Sequence, residues 1–222
     1  MSQIGLPFEW AGQAQAGQFL LSEANRLAVK HLENWRDWPV PVSVLSGPHR
    51  SGKSLAGRYF EQISGGNVID DADRQNNQQL FHAWNMARDS GTPLLLIARE
   101  RPEQWVVALP DLRSRLAAAP HVRIEEPDDA LVRALIETGL ARAGSAYAAD
   151  FPEWLVRRIE RSYAAVALVL DALNRLSLAS GRKISIPMAK EALQREAFLP
   201  IVKLDSSPNE ALERNDKGND DV

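Results

Sequence analysis

Apolar positions along this chain follow two patterns in turn, and the switch between them falls close to residue 125. Before the switch, short apolar runs alternate with longer stretches whose apolar residues recur every third or fourth position. The runs at 41–46, 67–71, 92–98 and 121–124 read as strands. The run at 92–98 is apolar throughout, as expected of a strand covered on both faces. Between the runs lie predicted helices at 23–35, with Leu27, Ala28 and Leu32 on one face, and at 53–64, stopped by Gly65-Gly66. A further helix at 76–90 carries Leu80, Phe81, Trp84 and Ala87 on one stripe and ends at Gly91, and a short helical segment covers 109–116. Strands alternating with helices predict an α/β fold built on a parallel sheet.

After Glu125 only the helical period remains. Helices are expected from Asp128 to about residue 143, at 152–161, at 162–180 ahead of Gly181, and from Pro187 to about residue 197. Their Leu, Val and Ala stripes are core positions. The expected organisation is therefore an N-terminal peptide and linker at 1–14, an α/β subdomain at 15–124, a small all-helical subdomain at 125–200, and a polar, acidic, disordered tail at 201–222.

Composition narrows the function classes. The chain has 222 residues, ample for a buried core, and its 45% hydrophobic and 25% charged content is that of a soluble globular protein. A net charge of -3 and a pI near 5.9 argue against general affinity for nucleic-acid backbones. There is no cysteine, which excludes disulfides and thiolate metal sites and makes the cytoplasm the expected compartment. The apolar runs at 93–98 and 164–170 are too short to span a bilayer, and no secretory signal is visible.

The chemistry concentrates in Gly47-Pro48-His49-Arg50-Ser51-Gly52-Lys53-Ser54, a complete G-x-x-x-x-G-K-[ST] phosphate loop between a predicted strand and a predicted helix. Its glycines let consecutive backbone N–H groups turn inward around a phosphate. Lys53 offers a point charge to the β- and γ-phosphates, and the Ser54 hydroxyl is placed to ligate Mg²⁺. The next strand ends in Asp70-Asp71. Beside a phosphate loop, Asp70 is suited to hold the metal and Asp71 to polarise a water. Alone, the same pair would read as a solvated acidic turn. At the start of the chain, Gln3-Ile4-Gly5-Leu6-Pro7-Phe8 follows no helical or strand period, and reads either as an arm on its own domain or as a linear docking peptide.

Several blocks together resemble the AAA+ ATPases, and within them the replication initiator DnaA and its short paralogues of the Hda type. Residues 19–28 are similar to the box ahead of the phosphate loop, residues 47–54 to Walker A, and Val68-Ile69-Asp70-Asp71 to Walker B. Leu109-Pro110-Asp111-Leu112-Arg113-Ser114-Arg115-Leu116 is similar to the box carrying the family's arginine finger, and Ile184-Ser185-Ile186-Pro187 to the entry of the last lid helix. The resemblance implies an AAA+ phosphate-loop fold with a helical lid, bound ADP or ATP with Mg²⁺, and Arg115 as the finger, with Arg113 next in line. Gln3, Ile4, Leu6 and Phe8 match the peptide by which such paralogues dock on the DNA polymerase β sliding clamp. The sequence also stops where the initiator would begin its DNA-binding domain.

Three positions depart from the family pattern. The interval between Walker A and Walker B is too short for the usual inserted strand–helix unit, which implies a missing edge strand. The position of the lid's sensor-2 arginine falls near Ala164. Ala98-Arg99-Glu100 stands where the family has Thr/Ser-x-Asp, leaving Glu100 as the stand-in. The last two imply weak or absent ATP hydrolysis by the chain itself. The expected function is a regulator of chromosome replication that docks on the clamp and stimulates ATP hydrolysis by DnaA, without sequence-specific DNA binding and without a membrane; a homodimer is compatible with it. The alternative is a stand-alone ATPase or small-molecule kinase. A DNA-binding initiator paralogue is disfavoured by the acidic charge balance.

Overall fold

The computed structural model of the chain describes residues 20–195, with side chains to residue 191. The candidate docking residues Gln3, Ile4, Leu6 and Phe8 and the acidic tail lie outside the described residues.

Four parallel strands, β1 (Val42–Ser46), β2 (Asn67–Ile69), β3 (Leu94–Ala98) and β4 (His121–Arg123), form one sheet in the order β2-β3-β1-β4. β1 and β3 occupy the centre, and every residue of both is buried. Their side chains alternate between faces. Val42, Val44, Leu94 and Leu96 pack under α3 (Asn77–Ser90) and α4 (Pro110–Ala118), against Leu80, Trp84 and Leu112. Leu45, Leu95 and Ile97 face α1 (Glu23–Glu33) and α2 (Lys53–Ser64), against Leu32 and Phe60. Two-sided burial is why the third strand reads as an unbroken apolar run. Pro93 sits just before β3, where its missing N–H costs no ladder bond, and its carbonyl accepts from Asn67 N at 2.9 Å.

Two residues, Gly65 and Gly66, separate α2 from β2; among the described residues no strand lies between them, so β2 is the sheet edge, as the short interval implies.

The remaining helices, α5 (Asp129–Arg142), α6 (Phe151–Val156), α7 (Tyr163–Ser180) and α8 (Ile186–Arg195), build a second core around Ile136, Phe151, Val169 and Leu173. α7 is long and apolar enough, by length and composition, to cross a membrane, but its apolar side forms this core. The helix expected over 152–161 ends at Val156. Ser162 takes an extended conformation, φ -137° and ψ 145°, so that its hydroxyl accepts from Ala165 N and caps α7. Residues 157–158 turn out of the helix, and the buried Ile159 joins the helical core. The ends of the helical part are tied by Ala148 N to Ile184 O and Ile184 N to Ala146 O, both 2.8 Å. The two cores meet at Glu125: its N–H donates to Ala24 O of α1 at 2.8 Å, and its carbonyl accepts the Tyr163 hydroxyl of α7 at 3.1 Å. Burial and nearby carboxylates push the Tyr163 phenol up to about 12, so it remains a donor at neutral pH.

Candidate nucleotide site

The loop between β1 and α2 lies at the carboxyl end of the sheet, where open parallel sheets present ligand sites. Its path requires glycine at its start: a Cβ on Gly47 would come within 2.9 Å of the Ile124 carbonyl oxygen. Gly52, with φ 88°, turns the backbone into α2. The non-glycine residues at positive φ among those described are Arg50 (64°) and Asp71 (49°). One lies in the phosphate loop and the other in the acidic turn after β2. Strained backbone at both places is typical of a site where geometry serves a ligand.

The structure brings together the loop residues singled out from the sequence, between β1 and α2. The Lys53 ammonium donates to Gly47 O at 2.9 Å and to Pro48 O at 2.6 Å, which holds it along the loop. Burial lowers its pKa; the charges of Asp70, Asp71 and Asp73 oppose the shift, and Arg123 adds to it. Ser51 Oγ is buried with no hydrogen-bond partner among the described residues, a polar atom left facing the loop's interior. Ser54 Oγ donates to Asp70 Oδ2 at 2.5 Å, so the two predicted metal-holding groups are adjacent. Asp71 N donates to Asp70 Oδ1 at 2.9 Å, and the Asp71 carboxylate is exposed.

These residues fit a phosphate chain with Mg²⁺. The cradle fills if Gly47 gains a side chain, Ser51 carries an unpaired hydroxyl, and Ser54 with Asp70 supplies hard oxygen donors. Among the described residues no cluster of three or more His, Asp or Glu could hold a metal alone, so the ion would share its ligands with phosphate and water.

Sequence reasoning passed over two neighbours, Asp73 and Arg123, and the lid partner of the loop residue Arg50. Asp73 accepts from Arg99 N at 3.4 Å and keeps its Oδ1 buried without a partner, tying the acidic turn to the end of β3. Arg50 reaches Asp171 of α7 at 3.3 Å, a link from loop to lid. Arg123, at the end of β4, lines a cleft of about 300 Å³ with Pro48, His49 and Arg99 opposite Glu160 and Ala164. The position at a strand's carboxyl end was the available signal for Arg123. Ala164 thus sits where the resemblance put an arginine, and nearby Arg161 instead makes a two-pronged bond to Asp129, at 2.6 and 2.9 Å. Glu100 lines the same cleft, with Arg99 Nε 3.6 Å away.

Arg115 is away from the loop, on α4. Its Nε and Nη2 meet the Asp111 carboxylate at 3.2 and 2.8 Å, its Nη1 donates to Asn85 Oδ1 at 2.7 Å, and its guanidinium lies 4.7 Å from the centre of the Phe81 ring. Arg113 turns the other way, donating to Val107 O.

Residues 128–193 match the family model described as Hda, lid domain. The fold is similar to domain III of the Thermotoga maritima replication initiation protein DnaA, with a TM-score of 0.68 and 14% identity over 83% of this chain and 95% of that one. AMPPCP-bound DnaA from Aquifex aeolicus matches with a TM-score of 0.58 and 18% identity, over 81% of this chain and 67% of that chain. Thermotoga maritima RuvB matches with a TM-score of 0.59 and 13% identity, over 80% and 70%. At such identities the structural likeness shows the fold, and the family match covers residues 128–193. The chain thus has the AAA+ fold of DnaA domain III, and its residues 128–193 match the Hda lid domain.

Proposed function

We propose that this protein is a nucleotide-bound regulator of chromosome replication initiation, which docks on the DNA polymerase β sliding clamp through Gln3, Ile4, Leu6 and Phe8 and stimulates ATP hydrolysis by DnaA through Arg115. The observation that carries the reading is the joining of an Hda lid domain to a DnaA-like sheet with an intact phosphate loop. Adenine nucleotide is the natural ligand, since the DnaA that shares the fold was seen with AMPPCP.

The division of labour follows from the residues. The loop N–H groups and Lys53 bind the phosphates, and Ser54 and Asp70 hold Mg²⁺, which neutralises phosphate charge when bound. Asp71 faces solvent and is placed to orient a water. Ala164 brings no charge to the phosphates from the lid, which favours a holding role over rapid turnover by the chain itself. Arg115 acts on the partner's nucleotide: a planar guanidinium neutralises charge developing on the transferred phosphoryl group, an effect worth roughly 10³–10⁵ in rate where it has been measured.

The test measures DnaA ATP hydrolysis on clamp-loaded DNA with the parent, with R115A and with the double variant L6A/F8A. R115A should keep clamp binding and lose most of the stimulation. L6A/F8A should lose clamp binding with its melting temperature nearly unchanged. An R115A protein as active as the parent would move the finger to Arg113 or end the reading. Turnover by the isolated chain at a rate matching the assembly would favour the stand-alone ATPase instead.

A further inference from the structure

The cleft between phosphate loop and lid has an unusual charge arrangement. Its lid side presents the Ala164 methyl and the Glu160 carboxylate, and Glu126 and Glu100 also line it. Apart from His49, its cations are Arg99 and Arg123, and both come from strand ends of the sheet. Three carboxylates against two guanidiniums make an anionic cleft beside a loop built for phosphate.

Arg99 is the more exposed of the two, with 62% of its side chain accessible against 26% for Arg123. Arg123 is also the better placed. In the β1–β4 ladder it is registered with Ser46, the residue immediately before Gly47, so its position is set by the sheet and not by the lid. Its one ion pair among the described residues is loose, Nε to Glu125 Oε2 at 3.6 Å, which leaves donors on the guanidinium for another anion. Its charge is felt at Lys53, whose place in this loop type is on the β- and γ-phosphates.

We infer that Arg123 reads the terminal phosphate of a bound nucleoside triphosphate, from the sheet side of the cleft, in place of the arginine that the lid lacks at Ala164. The inference rests on the nucleotide-binding reading above. Without Arg123, one guanidinium faces three carboxylates, and the added negative charge of a triphosphate meets the largest penalty. A diphosphate, shorter by one group, depends mainly on the loop and Lys53. Arg123 is therefore a specificity residue for triphosphate over diphosphate.

Calorimetry on the full chain with millimolar Mg²⁺ tests this, using ADP and the non-hydrolysable AMPPCP as probes. R123Q should weaken AMPPCP by about tenfold and ADP by less than about threefold, the difference expected for one charge-assisted contact to phosphate. R123M keeps the apolar stem without the charge; it should show the same selective loss, and it carries the test should R123Q fail to fold. A variant that weakens both ligands equally, or neither, overturns the inference while leaving nucleotide binding intact. A parent protein that binds neither probe overturns the nucleotide reading itself.

Discussion

At the scale of single residues, the site divides into groups that shape the loop and groups that meet the ligand. Gly47 belongs to the first, because no side chain fits against the Ile124 carbonyl. Lys53 belongs to the second. Its hydrogen-bond partners are two backbone carbonyls of the loop, so removing it leaves no buried charge unpaired. K53A is therefore expected to fold and melt near the parent temperature. Its affinity for ADP with Mg²⁺ should fall by at least about tenfold, as befits the loss of a charged phosphate contact. Calorimetry of parent and variant side by side checks both halves; a variant that binds ADP unchanged would remove Lys53 from the site.

At the scale of elements, the arginine on α4 is restrained by α3. Asp111 occupies the two-pronged edge of the Arg115 guanidinium, Asn85 takes a third N–H, and Phe81 covers the face. A finger needs that edge for a partner's phosphate, so the Asp111 pair opposes the act assigned to Arg115. The carboxylate is solvated, with 61% of the Asp111 side chain accessible, while Arg115 is only 22% accessible; pairs with so exposed a carboxylate contribute about 1 kcal/mol or less. D111N should therefore leave stability nearly unchanged and lower the concentration for half-maximal stimulation of DnaA hydrolysis by about threefold, the equivalent of that small energy. Loss of stimulation in D111N would mean that Asp111 holds the finger in its working pose.

At the scale of the whole molecule, two histidines report on the sheet. His31 Nε2 lies 2.7 Å from the buried Ser43 Oγ, and His121 Nε2 lies 2.7 Å from the buried Ser46 Oγ, so both brace β1, the strand that leads into the phosphate loop. Burial lowers both pKa values from 6.5. His31 is lowered further by the charge of His121, while Glu103 and Glu125 oppose Arg101 and Arg123 around His121. The folded protein thus prefers both rings neutral. Their contribution to stability is complete above pH 6.5 and declines as pH falls from there toward the depressed folded values. The melting temperature should drop between pH 7.5 and pH 5.5, and the double variant H31Q/H121Q should show a smaller drop over the same interval. An equal drop would assign the acid sensitivity to other groups.

Local sequence determined most of the elements and the phosphate loop. Residues 94–98 are apolar at every position, and in a parallel sheet that pattern has one solution, a strand buried on both faces. The loop from Gly47 to Ser54 is legible because backbone geometry and charge are specified within eight consecutive residues. Asp70 was likewise readable as the partner of Ser54, since both stand at fixed places beside the loop. Tertiary structure alone decided which distant residues complete the site. Arg123 reaches the cleft because β4 pairs with β1, and Asp171 reaches Arg50 because the lid folds back over the loop, 121 residues away in sequence. The early end of α6 is the same kind of fact: the chain leaves the helix after Val156 and Ile159 is buried in the core built by the other lid helices. Charge and periodicity act between near neighbours and can be read along the chain. Pairing across a sheet and closure of a lid depend on the whole fold, so their consequences became visible only there.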